Sequence, residues 1–155
     1  MLRRTAGAVW EGSLKDGKGT MNVGSGAFDG PYTFASRFED GKVTNPEELL
    51  GAAHAGCFSM ALSLGLAKAG FTPQRINSTA TVHLDTENLR ISAIDLDTEA
   101  QVPGINEEEF REQAELAKNK CIVSQAAQRS GLWPGWRKRQ NNRESISGIL
   151  VGSFV

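Results

Sequence analysis

The feature that most constrains the fold is a long helix that is apolar around its whole circumference. Residues 44–48, TNPEE, predict its start, since Asn45 suits an N-cap and Pro46 the first helical position. From residue 49 to 66 almost every side chain is apolar or small, and Gly70 predicts the end. We expect this helix, 46 to about 68, to be buried on all sides, within a sheet or against a second subunit.

The flanking segments alternate in polarity and predict antiparallel strands, hence an α+β fold. In residues 32–38, YTFASRF, alternation would place Arg37 on the face opposite Tyr32, Phe34 and Phe38. The other predicted strands and helices follow in chain order: strands 5–12, 17–24, 76–84 and 91–102, and helices 106–118 and 122–128.

The composition is that of a single globular domain. The chain has 155 residues, of which 39% are hydrophobic and 23% charged, and its net charge is -1. This balance predicts no general attraction for nucleic acid or anionic lipid. Polar residues interrupt the apolar stretch 49–69, and no apolar run follows Arg3 and Arg4, so we expect neither a membrane span nor a secretory signal. The expected location is the cytoplasm.

Residues 130–155 have a different character. Basic and aromatic side chains are mixed there without a clear period until Ile149: Trp133, Trp136, Arg137, Lys138, Arg139 and Arg143. Such a mixture could bind nucleic acid or lipid. We favour the simpler interpretation, a poorly structured tail.

The two cysteines, Cys57 and Cys121, are the candidates for chemistry. In a reducing compartment a structural disulfide is rare, which leaves inert thiols, a metal site or a redox pair. Cys57 lies in the middle of the apolar helix and needs a positive neighbour to react. Arg37 is the best candidate, because a guanidinium keeps its charge and can hold a thiolate and a peroxide oxygen together. The alternative is that Arg37 forms an ordinary surface ion pair.

Glu47 is the natural partner to orient Arg37, but it is ten residues from Cys57, about 15 Å along one helix. Either the helix begins late and the chain folds back, or Glu47 serves a site in another subunit. We favour the second possibility. The simpler role for Glu47 is to stabilise the helix N-terminus.

Cys121 follows Lys118 and Lys120 and is predicted to open a short helix, and both features lower a thiol pKa. Cys121 could form a disulfide with Cys57 by condensing with a sulfenic acid, although spacing does not show that they touch. A zinc site is the rival, in which His54 and His83 join the two cysteines.

Seven segments, taken together, resemble the family of osmotically inducible protein C and organic hydroperoxide resistance protein (OsmC/Ohr). The central one is TNPEELLGAAHAGCFSMALS, residues 44–63. The others occur in the family's order: WEG (10–12), GKGT (17–20), YTFASRFE (32–39), GFTP (70–73), VPGI (102–105) and AKNKCIVSQ (117–125). The resemblance covers residues 7–128. The segment HAGCF and the arginine of SRFE are similar to the OsmC branch.

This resemblance implies an intertwined homodimer, with antiparallel sheets around a long buried helix and two sites at the subunit interface. It implies a peroxidatic Cys57, a resolving Cys121 and an activating Arg37–Glu47 pair. It also implies that residues of the helix, such as Phe58 and Met60, shape a substrate pocket. The resemblance further implies that no metal or bound cofactor takes part and that an external dithiol, such as a dihydrolipoyl protein, reduces the disulfide.

The expected function is therefore a thiol peroxidase that reduces organic hydroperoxides in oxidative or osmotic stress. The alternative is a non-enzymatic dimer that binds a metal or ligand on the same fold. We expect residues 1–129 to form one OsmC-like domain. Residues 130–155 depart from the family pattern, and we expect them to be loosely attached.

Overall fold

The computed structural model describes residues 1–129 and 150–154 and confirms the α+β class. The chain divides into two compact units, residues 1–49 and 50–155. The elements in chain order are β1 (Ala6–Glu11), β2 (Lys18–Val23), β3 (Asp29–Thr33), α1 (Phe34–Phe38), α2 (Pro46–Lys68), β4 (Arg75–Asp85), β5 (Arg90–Gln101), α3 (Glu107–Lys120), α4 (Ile122–Arg129) and β6 (Leu150–Phe154).

The first unit is built on an antiparallel sheet in the order β1-β2-β3. Gly19 of β2 is paired with Tyr32 of β3, and a Cβ at Gly19 would clash with the Tyr32 ring. Because Gly19 has no side chain, the Tyr32 ring can lie over it and approach Trp10 of β1, with ring centroids 5.2 Å apart. The result is an aromatic surface on this sheet.

The prediction of a strand over residues 32–38 is wrong after Thr33, because α1 begins there. Thr33 and Ser36 form a capping box: the Ser36 amide donates to Thr33 Oγ1 at 3.1 Å, and the Thr33 amide donates to Ser36 Oγ at 3.0 Å. This local pairing outweighs the alternation of side chains that suggested a strand. Arg37 consequently lies in the last turn of a helix rather than on a strand face.

The long helix α2 has the predicted bounds. Its first turn is capped by Asn45, whose side-chain oxygen accepts from the Glu48 amide at 2.8 Å. It is followed by Gly70 in a left-handed conformation, with φ of 90°. Since α2 begins at Pro46, the possibility that the helix begins late and the chain folds back is excluded.

The second unit has its core where α2 packs on β5 and α3. The residues of α2 that face this core recur every three or four positions: Gly51, His54, Phe58, Leu62 and Leu66. The cluster is completed by Leu96, Ala100, Val102, Phe110, Ala114, Ala117 and Cys121. These side chains expose at most 7% of their surface. The burial of this face holds the helix against the sheet.

The opposite face of α2 is exposed, so the expected burial on all sides is not met within one chain. Met60 and Leu64 expose 76% and 56% of their surface, and Ala52, Ala53 and Gly56 are exposed beside them. By length and composition α2 could also cross a membrane, with a mean hydropathy of 1.5. Core helices of soluble proteins have the same properties. The described residues thus leave this apolar face of α2 exposed.

The second sheet has the order β4-β5-β6, and β4 and β5 pair antiparallel as predicted. One face of β5 is buried and carries Ile94, Leu96, Thr98 and Ala100. Asp95, on the opposite face of β5, is also buried. His83 of β4 forms a hydrogen bond of 2.9 Å to Asp95, which offsets part of the cost of burying its carboxylate.

The strand β6 is the part of residues 130–155 that the structure describes. Its backbone pairs antiparallel with β5, from Leu96 opposite Phe154 to Ala100 opposite Leu150. The expectation of a loosely attached tail is therefore not met for residues 150–154. The basic and aromatic residues from Trp133 to Arg143 lie outside the described residues. The domain division at residue 129 stays a prediction.

The capping box of α1 can be tested with Thr33→Val, which removes the hydroxyl and keeps the shape. We expect the free energy of unfolding to fall by about 1 kcal/mol, the usual value of an N-cap. Thr79→Val, at an exposed position of β4, is the matched control and should change stability by less than about 0.5 kcal/mol. Urea unfolding followed by circular dichroism measures both, and equal stabilities for the two variants would contradict the assignment.

Candidate active site

The two cysteines lie next to each other in the core of the second unit. Cys57 is half-buried in the middle of α2, and Cys121 is fully buried between α3 and α4. Both are free thiols. Cys57 packs against the core cluster that contains Cys121, and the two thiols are close enough that Cys57 raises the pKa of Cys121. The structure thus brings together the pair that spacing alone could not connect.

The position of Cys121 follows from its place between two helices. Its amide donates to the Ala117 carbonyl at 2.8 Å and ends α3, while its own carbonyl accepts from the Gln125 amide at 3.0 Å and begins α4. The Ser124 amide donates to Cys121 Sγ at 3.4 Å, as in an N-cap. These bonds hold the Cys121 sulfur in one place.

The expectation of a lowered pKa for Cys121 is wrong. Burial raises the pKa of this thiol, and the neighbouring Cys57 raises it further, while hydrogen bonds from the Ser124 hydroxyl and amide lower it. Lys118 was expected to help, but its side chain is itself buried, and burial lowers its pKa to about 8 against the opposing effect of Glu115. The loss of water around the thiol therefore outweighs the two effects expected to lower its pKa, the neighbouring lysines and the start of a helix.

Arg37 and Glu47, the second predicted pair, meet in the first unit. Arg37 Nε and Nη2 donate to the same oxygen, Glu47 Oε1, at 3.1 and 2.9 Å. The guanidinium also lies 5.2 Å from the centre of the Phe38 ring. The side chain of Glu47 is 11% exposed and that of Arg37 is 42% exposed. The carboxylate thus anchors a guanidinium that still presents surface to a ligand.

The guanidinium of Arg37 lines a pocket of about 220 Å³ that sequence reasoning missed. The remaining lining residues come from β1, the segment between β1 and β2, β3 and α1: Trp10, Leu14, Tyr32, Thr33, Phe34 and Phe38. The signal in the sequence was the aromatic content of residues 32–38, which was interpreted as one face of a strand. The pocket offers an apolar surface beside a fixed positive charge.

The two residues predicted to shape the substrate pocket lie on opposite faces of α2. Phe58 is fully buried in the core, and Met60 is 76% exposed. Within one chain, therefore, Phe58 supports the helix and Met60 belongs to its uncovered face. Their role toward a substrate stays a prediction.

A buried hydrogen bond beside the thiols was also missed. His54 Nε2 and Ser124 Oγ are 2.7 Å apart, and both side chains are fully buried. Burial lowers the pKa of His54, and the charge of Lys118 lowers it further, so the imidazole is neutral at pH 7. The spacing held a signal: His54 precedes Cys57 by three residues, and Ser124 follows Cys121 by three.

The rival zinc site is not assembled. His83 forms a hydrogen bond to Asp95 on the second sheet, whereas His54 bonds to Ser124. Within residues 1–129, the structure has no group of three His, Cys, Asp or Glu side chains arranged to hold a metal ion. The donor set His54, Cys57, His83 and Cys121 therefore does not converge as a four-ligand site requires.

Comparison with known proteins identifies the family. Residues 39–133 match the family model described as OsmC-like protein. The chain is 50% identical over 127 residues to peroxiredoxin OsmC of Escherichia coli K12, covering 80% of this chain and 89% of that protein. It is 33% identical over 94 residues to the organic hydroperoxide resistance protein-like protein of Staphylococcus aureus USA300, covering 57% and 65%. The higher identity to the former agrees with the predicted OsmC branch.

Solved structures of this family have the same fold. The organic hydroperoxide resistance protein of Elizabethkingia anophelis superposes with a TM-score of 0.60 at 26% identity, over 82% of this chain and 89% of that one. An OsmC protein of Legionella pneumophila gives 0.59 at 22% identity, over 79% and 88%. The family model, the close relative and the shared fold agree, and the chain belongs to the OsmC-like family.

Proposed function

We propose that this chain reduces organic hydroperoxides to alcohols, with Cys57 as the attacking thiol and Cys121 as its disulfide partner. The family and the 50% identity to a peroxiredoxin make it a thiol-dependent peroxidase. The observation that carries the residue assignment is the packing of half-buried Cys57 against the core cluster that contains fully buried Cys121. A substrate can reach the first sulfur, while the second is protected until the first is oxidised.

In the first step, the Cys57 thiolate attacks the distal oxygen of the hydroperoxide. The S–O bond forms as the O–O bond breaks, the alkoxide takes a proton and leaves as the alcohol, and Cys57 becomes a sulfenic acid. Cys121 then attacks the Cys57 sulfur and water leaves. An external dithiol, such as a dihydrolipoyl protein, reduces the resulting disulfide by exchange.

The Arg37–Glu47 pair activates this site from a second subunit. Glu47 stands in the first turn of α2 and Cys57 in its middle, so the two are about 15 Å apart along a continuous helix. A homodimer in which the pair of one chain serves the thiols of the other resolves this separation. Arg37 would hold the thiolate and the peroxide oxygen, and Glu47 would keep the guanidinium oriented.

The exposed apolar face of α2 supports the dimer. Met60 and Leu64 are large side chains on a surface that a single chain leaves in water. Pairing two such faces would remove apolar area from solvent in both subunits.

The pocket beside Arg37 supports an organic substrate. Its aromatic rings would bury the alkyl or aryl part of a hydroperoxide, while hydrogen peroxide has no such part. We propose a cytoplasmic location, where thiols are kept reduced and a dithiol can reset the pair.

The peroxidase cycle is tested with cumene hydroperoxide and excess dithiothreitol. The wild type should consume cumene hydroperoxide faster than hydrogen peroxide, and Cys57→Ser should consume neither above the buffer rate. Without dithiol, Cys121→Ser should react once and keep Cys57 as a trappable sulfenic acid. Peroxide consumption by Cys57→Ser would contradict the assignment. Stoichiometric zinc that leaves on thiol alkylation would favour the alternative, a metal-binding dimer.

The role of the ion pair is tested with Glu47→Gln. Loss of the carboxylate charge should lower kcat/KM for cumene hydroperoxide about tenfold, because the guanidinium loses a charge-assisted bond. The matched control is Glu48→Gln, the adjacent residue, which accepts from Thr44 Oγ1 at 3.2 Å and should stay within about twofold of the wild type. Equal effects of the two substitutions would refute the assignment.

The dimer is tested by light scattering at micromolar concentration. The wild type should have the mass of two chains, and Leu64→Glu should give a folded monomer, because two carboxylates cannot be buried in an apolar interface. The control is Leu2→Glu, at a leucine that is 85% exposed outside α2. A monomeric wild type would overturn the proposal.

A further inference from the structure

The hydrogen bond between His54 and Ser124 joins the buried face of α2 to the first turn of α4. Its two atoms are 2.7 Å apart, and neither side chain is exposed to solvent. The Ser124 amide also donates to Cys121 Sγ at 3.4 Å, and the Ser124 hydroxyl lies near enough to that thiol to lower its pKa. One serine therefore connects the buried imidazole to the buried sulfur.

The direction of the bonds follows from the chemistry of these groups. A neutral imidazole can present an N–H at Nε2, and when that N–H donates to Ser124 Oγ, the hydroxyl proton is left to point at Cys121 Sγ. The amide of Ser124 can only donate. The sulfur of Cys121 then receives two donors from one residue, which is the arrangement that stabilises negative charge on a thiolate.

We propose that Ser124 is a catalytic residue for disulfide formation, donating to the Cys121 sulfur as it attacks, and that His54 is the positioning residue that orients the Ser124 hydroxyl. This rests on the proposed peroxidase cycle, in which the hydroperoxide oxidises Cys57 to a sulfenic acid. Burial raises the pKa of Cys121, so its sulfur needs local donors to carry charge. Ser124 is the residue that supplies them.

The step balances without another reactant. The Cys121 sulfur supplies the electron pair of the new S–S bond, and the S–O bond of the Cys57 sulfenic acid breaks with its pair going to the oxygen. The thiol proton of Cys121 goes to that oxygen, which leaves as water. Cys121 is oxidised and Cys57 is reduced, while Ser124 keeps its proton throughout.

The test uses a reaction that does not depend on peroxide. Reduced full-length protein is treated with one equivalent of dithiobis(nitrobenzoate), which places a mixed disulfide on Cys57 and releases one thionitrobenzoate. Attack by Cys121 on Cys57 then releases the second, and Cys121→Ser defines the baseline. This readout remains valid if the protein consumes no hydroperoxide, so failure of the proposed function and failure of this inference are distinguishable.

We expect Ser124→Ala to slow the second release about tenfold or more, the value of a hydrogen bond to a charged group, and to leave the first release within about twofold. Ser124→Thr keeps the hydroxyl and should retain the wild-type second phase. The matched control is Ser59→Ala, which removes a hydroxyl bonded to Ser78 Oγ at 2.8 Å in the same unit. That control should leave both phases unchanged.

The role of His54 is tested with His54→Leu and His54→Gln. The leucine should slow the second phase like Ser124→Ala, and glutamine, whose amide can donate from the same distance along the side chain, should restore most of the rate. If Ser124→Ala fails to fold, the rates of His54→Leu and His54→Gln test the proposal. An unchanged second phase in Ser124→Ala or His54→Leu would overturn it, and so would equal slowing of both phases.

Discussion

The contact between the buried face of α2 and the helices that follow β5 is the interaction on which the site depends. A face made of Gly51, His54, Phe58, Leu62 and Leu66 can pack closely only in one rotation of the helix. That rotation places Cys57 against the core that contains Cys121 and places His54 against Ser124. Hydrophobic packing thus sets the geometry of the polar and reactive groups, because the helix cannot turn without exposing the core residues.

Desolvation differs between the two cysteines. The same burial that fixes Cys121 raises its pKa, whereas Cys57 is only half-buried. Two neighbouring thiols in different environments suit the proposed reaction, in which one attacks the substrate and the other attacks only its partner. The hydrogen bonds of Ser124 partly compensate the buried sulfur, as expected for a polar group removed from water.

Much of the fold could be predicted because it depends on local rules. The bounds of α2 follow from Asn45, Pro46 and Gly70, and the alternation in β4 and β5 indicated their pairing. The predicted strand over residues 32–38 failed because the capping box of Thr33 and Ser36 competes with alternation at short range. Where a segment has both an alternating polarity and a capping box, side-chain hydrogen bonds determine whether it forms a strand or a helix. The polarity pattern alone does not show those bonds.

The sequence predicted which residues form the candidate site, but it did not predict the pKa of Cys121 or the hydrogen bond of His54. Spacing and family resemblance named Cys57, Cys121, Arg37 and Glu47, and the structure joins them as two pairs, each within its own unit. The raised pKa of Cys121 could not be predicted, since it depends on how deeply α3 and α4 bury the thiol. The His54–Ser124 bond joins residues 70 positions apart, a contact that only the folded chain reveals.

The most direct test of the account is the mass of the intact protein after one equivalent of cumene hydroperoxide, followed by peptide mapping. The account predicts the loss of two hydrogens per chain and a single cross-linked peptide that joins Cys57 to Cys121 within one chain. Retention of the full mass with both thiols free would contradict it, as would a cross-link between Cys57 residues of two chains.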